Sequence, residues 1–188
     1  MDNNEKNKIG LYQEIDIPEG IETIIEDKSF TFKHNDKKIS RSFIHLIDIK
    51  IKENKIVLSS KTKRKKEKKI FFTYIAHIKN MIKGLTEGFN YKLRVSNVHF
   101  PMNVVFNKDK REFVIKNFLG EKKDRIIKII DNVDIKINGE DVIVSSYDIE
   151  KAGIVASSIE KGSKVKNFDR RIYQDGIFII EKPGRTYL

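Results

Sequence analysis

Cysteine is absent from all 188 residues, which removes disulfides, thiolate zinc sites and thiol catalysis together. Further absences narrow the chemistry. The chain has no glycine-rich loop of P-loop or dinucleotide spacing, no H-E-x-x-H and no G-x-S-x-G. Its four histidines, His34, His45, His77 and His99, are scattered and form no pair at metal-ligand spacing. His77, one residue from the apolar Ile78, reads as a partly buried helix residue rather than a ligand. No catalytic residue, metal or cofactor is therefore expected. No apolar run approaches the roughly 18 residues that span a bilayer, and the densest basic run is not interleaved with apolar residues as on a membrane-surface helix. No membrane partner is expected. Residues 1–7 lack the apolar core of a secretory signal, so the cytoplasm is the default.

What the chain has is positive charge, unevenly spread. The formal net charge is +11, and residues 1–96 account for +8 of it. Between positions 61 and 69 stand Lys61, Lys63, Arg64, Lys65, Lys66, Lys68 and Lys69 against the single acid Glu67. So many like charges in nine residues repel one another unless an anionic partner is present. A polyanion, and nucleic acid in particular, is the natural partner, although an acidic protein bound by a basic interaction module would satisfy the same charge. The 61–69 run is expected as an exposed loop. After it, Phe71, Ile75, Ile78, Ile82, Leu85 and Phe89 recur at four-and-three spacing, which predicts an amphipathic helix over 70–89.

The hydrophobic fraction of 39% supports a folded core, with residues 1–8, polar and Asn-rich, as a frayed start. From residue 15 to 60 the pattern is that of short strands, with Pro18-Glu19-Gly20, Asp27-Lys28 and Asn35-Asp36 as turns. The second half then restates the first. Asp48-Ile49-Lys50-Ile51 returns as Asp134-Ile135-Lys136-Ile137, and Ile56-Val57-Leu58-Ser59-Ser60 as Val142-Ile143-Val144-Ser145-Ser146, both 86 residues on. Phe30-x-Phe32-Lys33 is echoed by Phe113-x-Ile115-Lys116, 83 residues on. A second helix is expected over 148–161 with Asp148 as its N-cap. The fold class that follows is α+β, two tandem similar domains, each a small antiparallel sheet packed on one helix. The expected division is a flexible tail at 1–12, a first domain at 13–93 carrying the basic loop, and a second at 94–188, joined between residues 91 and 99.

The 61–69 run can hold phosphates but carries little positional information, so specificity has to come from elsewhere. Two segments mix glycine, amide and base: Asn117-Phe118-Leu119-Gly120-Glu121-Lys122-Lys123 and Lys161-Gly162-Ser163-Lys164-Val165-Lys166-Asn167. Glycine there lets the backbone approach a phosphate closely, although an ordinary turn or helix exit has the same composition.

Several segments, in order, resemble one family. They are Asp16-Ile17-Pro18; Asn80-Met81-Ile82-Lys83-Gly84 with Gly88-Phe89-x-Tyr91-Lys92; His99-Phe100-Pro101-Met102-Asn103-Val104; Asn117-Phe118-Leu119-Gly120-Glu121-Lys122; and Gln174-Asp175-Gly176-Ile177. Together they resemble the universal large-subunit ribosomal protein six family, called large-subunit protein nine in eukaryotes, in its eukaryotic or archaeal form. The resemblance implies two similar domains and a structural, non-enzymatic role on a large, 60S-type, ribosomal subunit in cytoplasmic translation. It implies contact with large-subunit ribosomal RNA near the sarcin-ricin loop and stalk base, with neighbouring ribosomal proteins there as further partners. It implies transient nuclear or nucleolar passage in a eukaryote, and no homo-oligomer. Carried onto this chain, the RNA-facing residues are Lys116, Asn117, Gly120, Lys122 and Lys123, with Lys164, Lys166, Arg170 and Arg171 after the second helix. Two departures stand out: Lys33-His34-Asn35-Asp36-Lys37 replaces the family's Gly-Pro-x-Gly turn, and Ala152-Gly153-Ile154-Val155 followed by Ser157-Ser158 replaces its Gln, Thr and paired Ala.

Overall fold

The 86-residue offset between the two halves is a repeat of hydrogen-bond register. In the computed structural model, which describes residues 10–26, 29–43, 47–52, 54–60, 62 and 64–187, the chain divides into two compact units, Met1–Glu87 and Gly88–Leu188. The first holds strands β1 (Leu11–Asp16), β2 (Glu22–Glu26), β3 (Ser29–His34), β4 (Lys37–Ser42), β5 (Asp48–Lys52) and β6 (Lys55–Ser60), then helix α1 (Lys65–Thr86). Its strands form two antiparallel sheets, β1-β6-β5 and β2-β3-β4. The second holds β7 (Phe89–Ser96), β8 (Asn103–Asn107), β9 (Glu112–Lys116), β10 (Arg125–Lys128), β11 (Asp134–Asn138) and β12 (Asp141–Ser146), helix α2 (Ile149–Gly162), then β13 (Gly176–Lys182) and β14 (Arg185–Thr186). Its sheets run β10-β9-β8 and β11-β12-β7-β13-β14. The pair Asp48↔Ser59 across β5 and β6 recurs as Asp134↔Ser145 across β11 and β12, so both partners move by the same offset.

Alternation explains which side chains fill each unit. In β3 the apolar positions Phe30 and Phe32 are each 1% exposed, and their counterparts in β9, Phe113 and Ile115, are fully covered. Burying a side chain of this size stabilises by about 1.5–3 kcal/mol. The α1 stripe buries Phe71, Ile75, Ile78 and Leu85, with Tyr74 and Met81 beside them, against β1, β3 and β6. Helix α2 lays Ala152, Val155, Ala156 and Ile159 on β7, β10, β12 and β13. As expected, Asp148 caps α2, its carboxylate accepting from the backbone N–H of Glu150 at 2.9 Å and of Lys151 at 3.5 Å. The α+β duplication stands, with two sheets rather than one beside each helix.

Four boundaries differ from the sequence expectation, each for a physical reason. Lys65, Lys66, Lys68 and Lys69 lie in the first turns of α1 rather than in a loop, with Arg64 at the N-cap. Lysine is a good helix former, and Glu67 ties the turn to β6 by accepting from Ser60 Oγ at 3.2 Å and from Thr62 Oγ1. Lys61 and Lys63 fall outside the described residues. At its other end α1 stops at Thr86, and Gly88 takes the left-handed φ of 76°, so Phe89 opens β7 instead of closing the helical stripe. The junction expected at 91–99, and the domain limit at 93/94, fall within or just after β7. That strand pairs with β12 on one side and β13 on the other, which fixes the division at 87/88. Strand β1 begins at Leu11, inside the tail expected over 1–12; residues 1–9 and the turn Asp27-Lys28 lie outside the described residues. The departure at 33–37 is a two-residue hairpin, in which Asn35 takes a left-handed φ of 52°.

Candidate nucleic-acid interface

Three loops of the second unit are tied to one another by side chains the sequence scatters widely. They are 97–102 between β7 and β8, 117–124 between β9 and β10, and 163–175 between α2 and β13. Arg125 links the second to the third. Its Nη1 donates to the carbonyl oxygens of Gly162 at 2.9 Å and Lys164 at 3.0 Å, while Nε and Nη2 hold Glu121 at 2.8 and 2.5 Å. Its guanidinium lies 3.9 Å over the ring of Phe118, and this hydrogen bonding holds the Glu121 carboxyl below its ordinary pKa.

Asp175 links the third loop to the first. Its carboxylate is buried, with a side chain 1% exposed, and accepts from the backbone N–H groups of Val98 at 2.9 Å, His99 at 2.9 Å and Phe100 at 3.5 Å. The ring Nδ1 of His99 approaches its other oxygen at 2.6 Å. Burial pushes the Asp175 carboxyl up, but the hydrogen bonds from 98–100 outweigh it and leave the pKa lowered. An ionised carboxylate only accepts, so His99 Nδ1 carries the proton of that bond. Asn117 closes the set, donating from Nδ2 to Pro101 O at 2.9 Å. Around it the backbone coils left-handed at Asn117 (φ 57°), Leu119 (φ 48°) and Gly120 (φ 75°), pivoting on the buried Phe118.

This scaffold carries seven of the cations singled out above. Lys116, Lys122, Lys123, Lys164, Lys166, Arg170 and Arg171 are all exposed, as are Asn117 and Gly120. Among the described residues only Arg171 holds an acid, Asp169, at 2.9 Å, and that bond lowers the Asp169 pKa. The remaining six form no ion pair among the described residues, although Lys166 lies near enough to Glu121 to help lower that carboxyl's pKa.

In the first unit Arg64, Lys65, Lys66, Lys68 and Lys69 are exposed as well. Glu67 is occupied by Ser60 and Thr62, and Arg64 makes no side-chain cap. These cations therefore crowd the positive end of the α1 dipole, where each costs about 0.3–1 kcal/mol. Among the described residues no group of three His, Asp or Glu could hold a metal, and no helix is long and apolar enough to cross a membrane.

Sequence reasoning found the cations and missed the groups that position them. Arg125 looks like any strand cation, because its partners lie 37 and 39 residues away. Asp175 bonds across 75 to 77 residues; its one sequence signal is its place in the Gln174-Asp175-Gly176-Ile177 motif.

Known proteins resemble this chain along most of its length. A family profile described as Ribosomal protein L6 matches residues 17–88. The large ribosomal subunit protein uL6 of Methanococcus vannielii is 41% identical over 177 residues, covering 94% of this chain and 96% of the relative. The uL6 of Sulfurisphaera tokodaii is 40% identical over 176 residues, covering 93% and 94%, and that of Staphylothermus marinus 43% identical over 176, covering 91% and 94%. Similarity at this level along both units leaves one assignment: the chain belongs to the universal large-subunit ribosomal protein uL6 family.

Proposed function

We propose that this chain is a structural constituent of the large ribosomal subunit that binds large-subunit ribosomal RNA through the three tied loops of its second unit. The supporting observation is the set of five exposed cations without an ion pair, Lys122, Lys123, Lys164, Lys166 and Arg170, on loops whose geometry is held by Arg125, Asp175 and Asn117. Preorganised cations lose little entropy on meeting phosphate and so fix position as well as affinity. The 61–69 run adds charge from the first unit. The family is a structural, non-enzymatic one, which accounts for the missing catalytic constellation.

The RNA contacted lies near the sarcin-ricin loop and stalk base, with neighbouring ribosomal proteins completing the surroundings and no homo-oligomer required. Work on the ribosome puts the chain in the cytoplasm; a 60S-type subunit and transient nucleolar passage apply where the cell is eukaryotic. The test is co-sedimentation with large subunits through a high-salt wash, followed by nuclease. Release by nuclease supports RNA as the anchor. Retention on a nuclease-resistant acidic protein instead identifies a basic protein-interaction module.

A further inference from the structure

Three aromatic rings stand in a row beside the cations of the 163–175 segment, and phosphate binding uses none of them. Tyr173 lies between His99, whose ring centre is 4.8 Å away with the planes 32° apart, and Phe168, at 4.7 Å with the planes 47° apart. The His99 end is held by the bond to buried Asp175. The Phe168 end is open: this side chain is 53% exposed, although its neighbours Lys166 and Arg170 are charged and solvated. Asn167, just before it, adopts a left-handed φ of 63°. A cleft of about 710 Å³ adjoins the row, with Tyr173, Lys164 and Arg170 among its lining residues, a volume within the range of small-molecule sites.

We infer that the His99, Tyr173 and Phe168 rings form a stacking platform for one unpaired RNA base, with Lys164 and Arg170 taking the phosphates beside it. The step rests on the RNA reading above and adds to it. Cations alone ask only for a polyanion, whereas an exposed ring at the end of a row of tilted rings, its own face open, asks for a second flat π-surface. An unpaired nucleotide supplies both features, and a base inside a duplex has no free face to offer. An apolar peptide would satisfy the rings but would strand the surrounding cations without counter-charge.

The test uses the full chain and two probes of equal length, oligoadenylate and an abasic ribose-phosphate oligomer, titrated at one salt concentration. Phe168→Leu keeps the apolar bulk and removes the π-face; Phe168 is exposed, so melting should be unchanged, and this is checked. Oligoadenylate should bind the unaltered chain about 5- to 150-fold more tightly than the abasic oligomer, the range for one stacked base. Phe168→Leu should abolish most of that ratio without changing abasic affinity, and Phe168 ring protons should move upfield with oligoadenylate alone. Equal affinity for the two probes, or an unchanged ratio in Phe168→Leu, overturns the platform while leaving phosphate binding intact. No binding of either probe at low salt overturns the RNA reading itself, and with it the platform. Oligoglutamate binding as tightly as oligoadenylate also overturns it, in favour of a protein partner.

Discussion

Replacing Arg125 with methionine removes the staple between two loops while keeping its aliphatic bulk. The side chain is 16% exposed and its partner Glu121 40%, so the ion pair itself is worth little, about 0–1 kcal/mol. The larger loss is the pair of charge-assisted bonds to Gly162 O and Lys164 O at the end of α2, about 1.5–3 kcal/mol each before water reaches the freed carbonyls. The stacking on Phe118 at 3.9 Å adds about 0.5–2 kcal/mol. A net loss of about 3 kcal/mol is expected. For a unit of this size that lowers melting by roughly 12–24 °C. Scanning calorimetry of the full chain should show the transition of the second unit shifting while that of the first stays. Arg125→Lys, which keeps charge but cannot fork, should fall between. A cycle with Glu121→Gln should give a coupling below about 1 kcal/mol. If Arg125→Met melts within about 2 °C of the unaltered chain, the carbonyl bonds are not what holds the loops.

Two further outcomes follow from the same geometry. Asp175 has a lowered pKa in the folded state, so its contribution is fully present above the unfolded aspartate value of 3.8 and is lost as pH falls through the folded value below it. Asp175→Asn should therefore flatten the pH dependence of stability below about pH 4 and destabilise the second unit at neutral pH; equally steep acid unfolding in both proteins contradicts this. RNA affinity should fall linearly on a log-log plot against salt. Neutralising a cation that pairs with one phosphate should make that slope shallower by about 0.7–0.9, read by titration of each lysine variant at several salt concentrations.

How far the chain could be read in advance depended on whether a feature is local. The 86-residue offset was legible because paired strands repeat their own composition, and it proved to be one of register. Asp148 was legible because an N-cap is local to its helix. The start of α1 was misplaced because seven cations in nine residues read as solvated loop, whereas Glu67 and the helix preference of lysine extend the helix to Lys65. Phe89 was misassigned because its spacing fits a helix and a strand equally, and only pairing with Ser146 decides. The cations of the second unit were visible as composition. Their arrangement was not, since the bonds that Arg125 makes to Gly162 and Lys164, and Asp175 to 98–100, join positions far apart in the chain.

Charge on the three tied loops of the second unit should outweigh the denser run at the start of α1. The most direct test of this is incorporation. One tagged variant neutralises Lys122, Lys123, Lys164, Lys166, Arg170 and Arg171, another the seven cations of 61–69, and the fraction of each found in large subunits is measured after melts confirm equal folding. The account predicts the larger loss for the second-unit variant. Normal assembly of that variant, with failure of the 61–69 variant, would show that the run at the start of α1, and not the tied loops, governs binding.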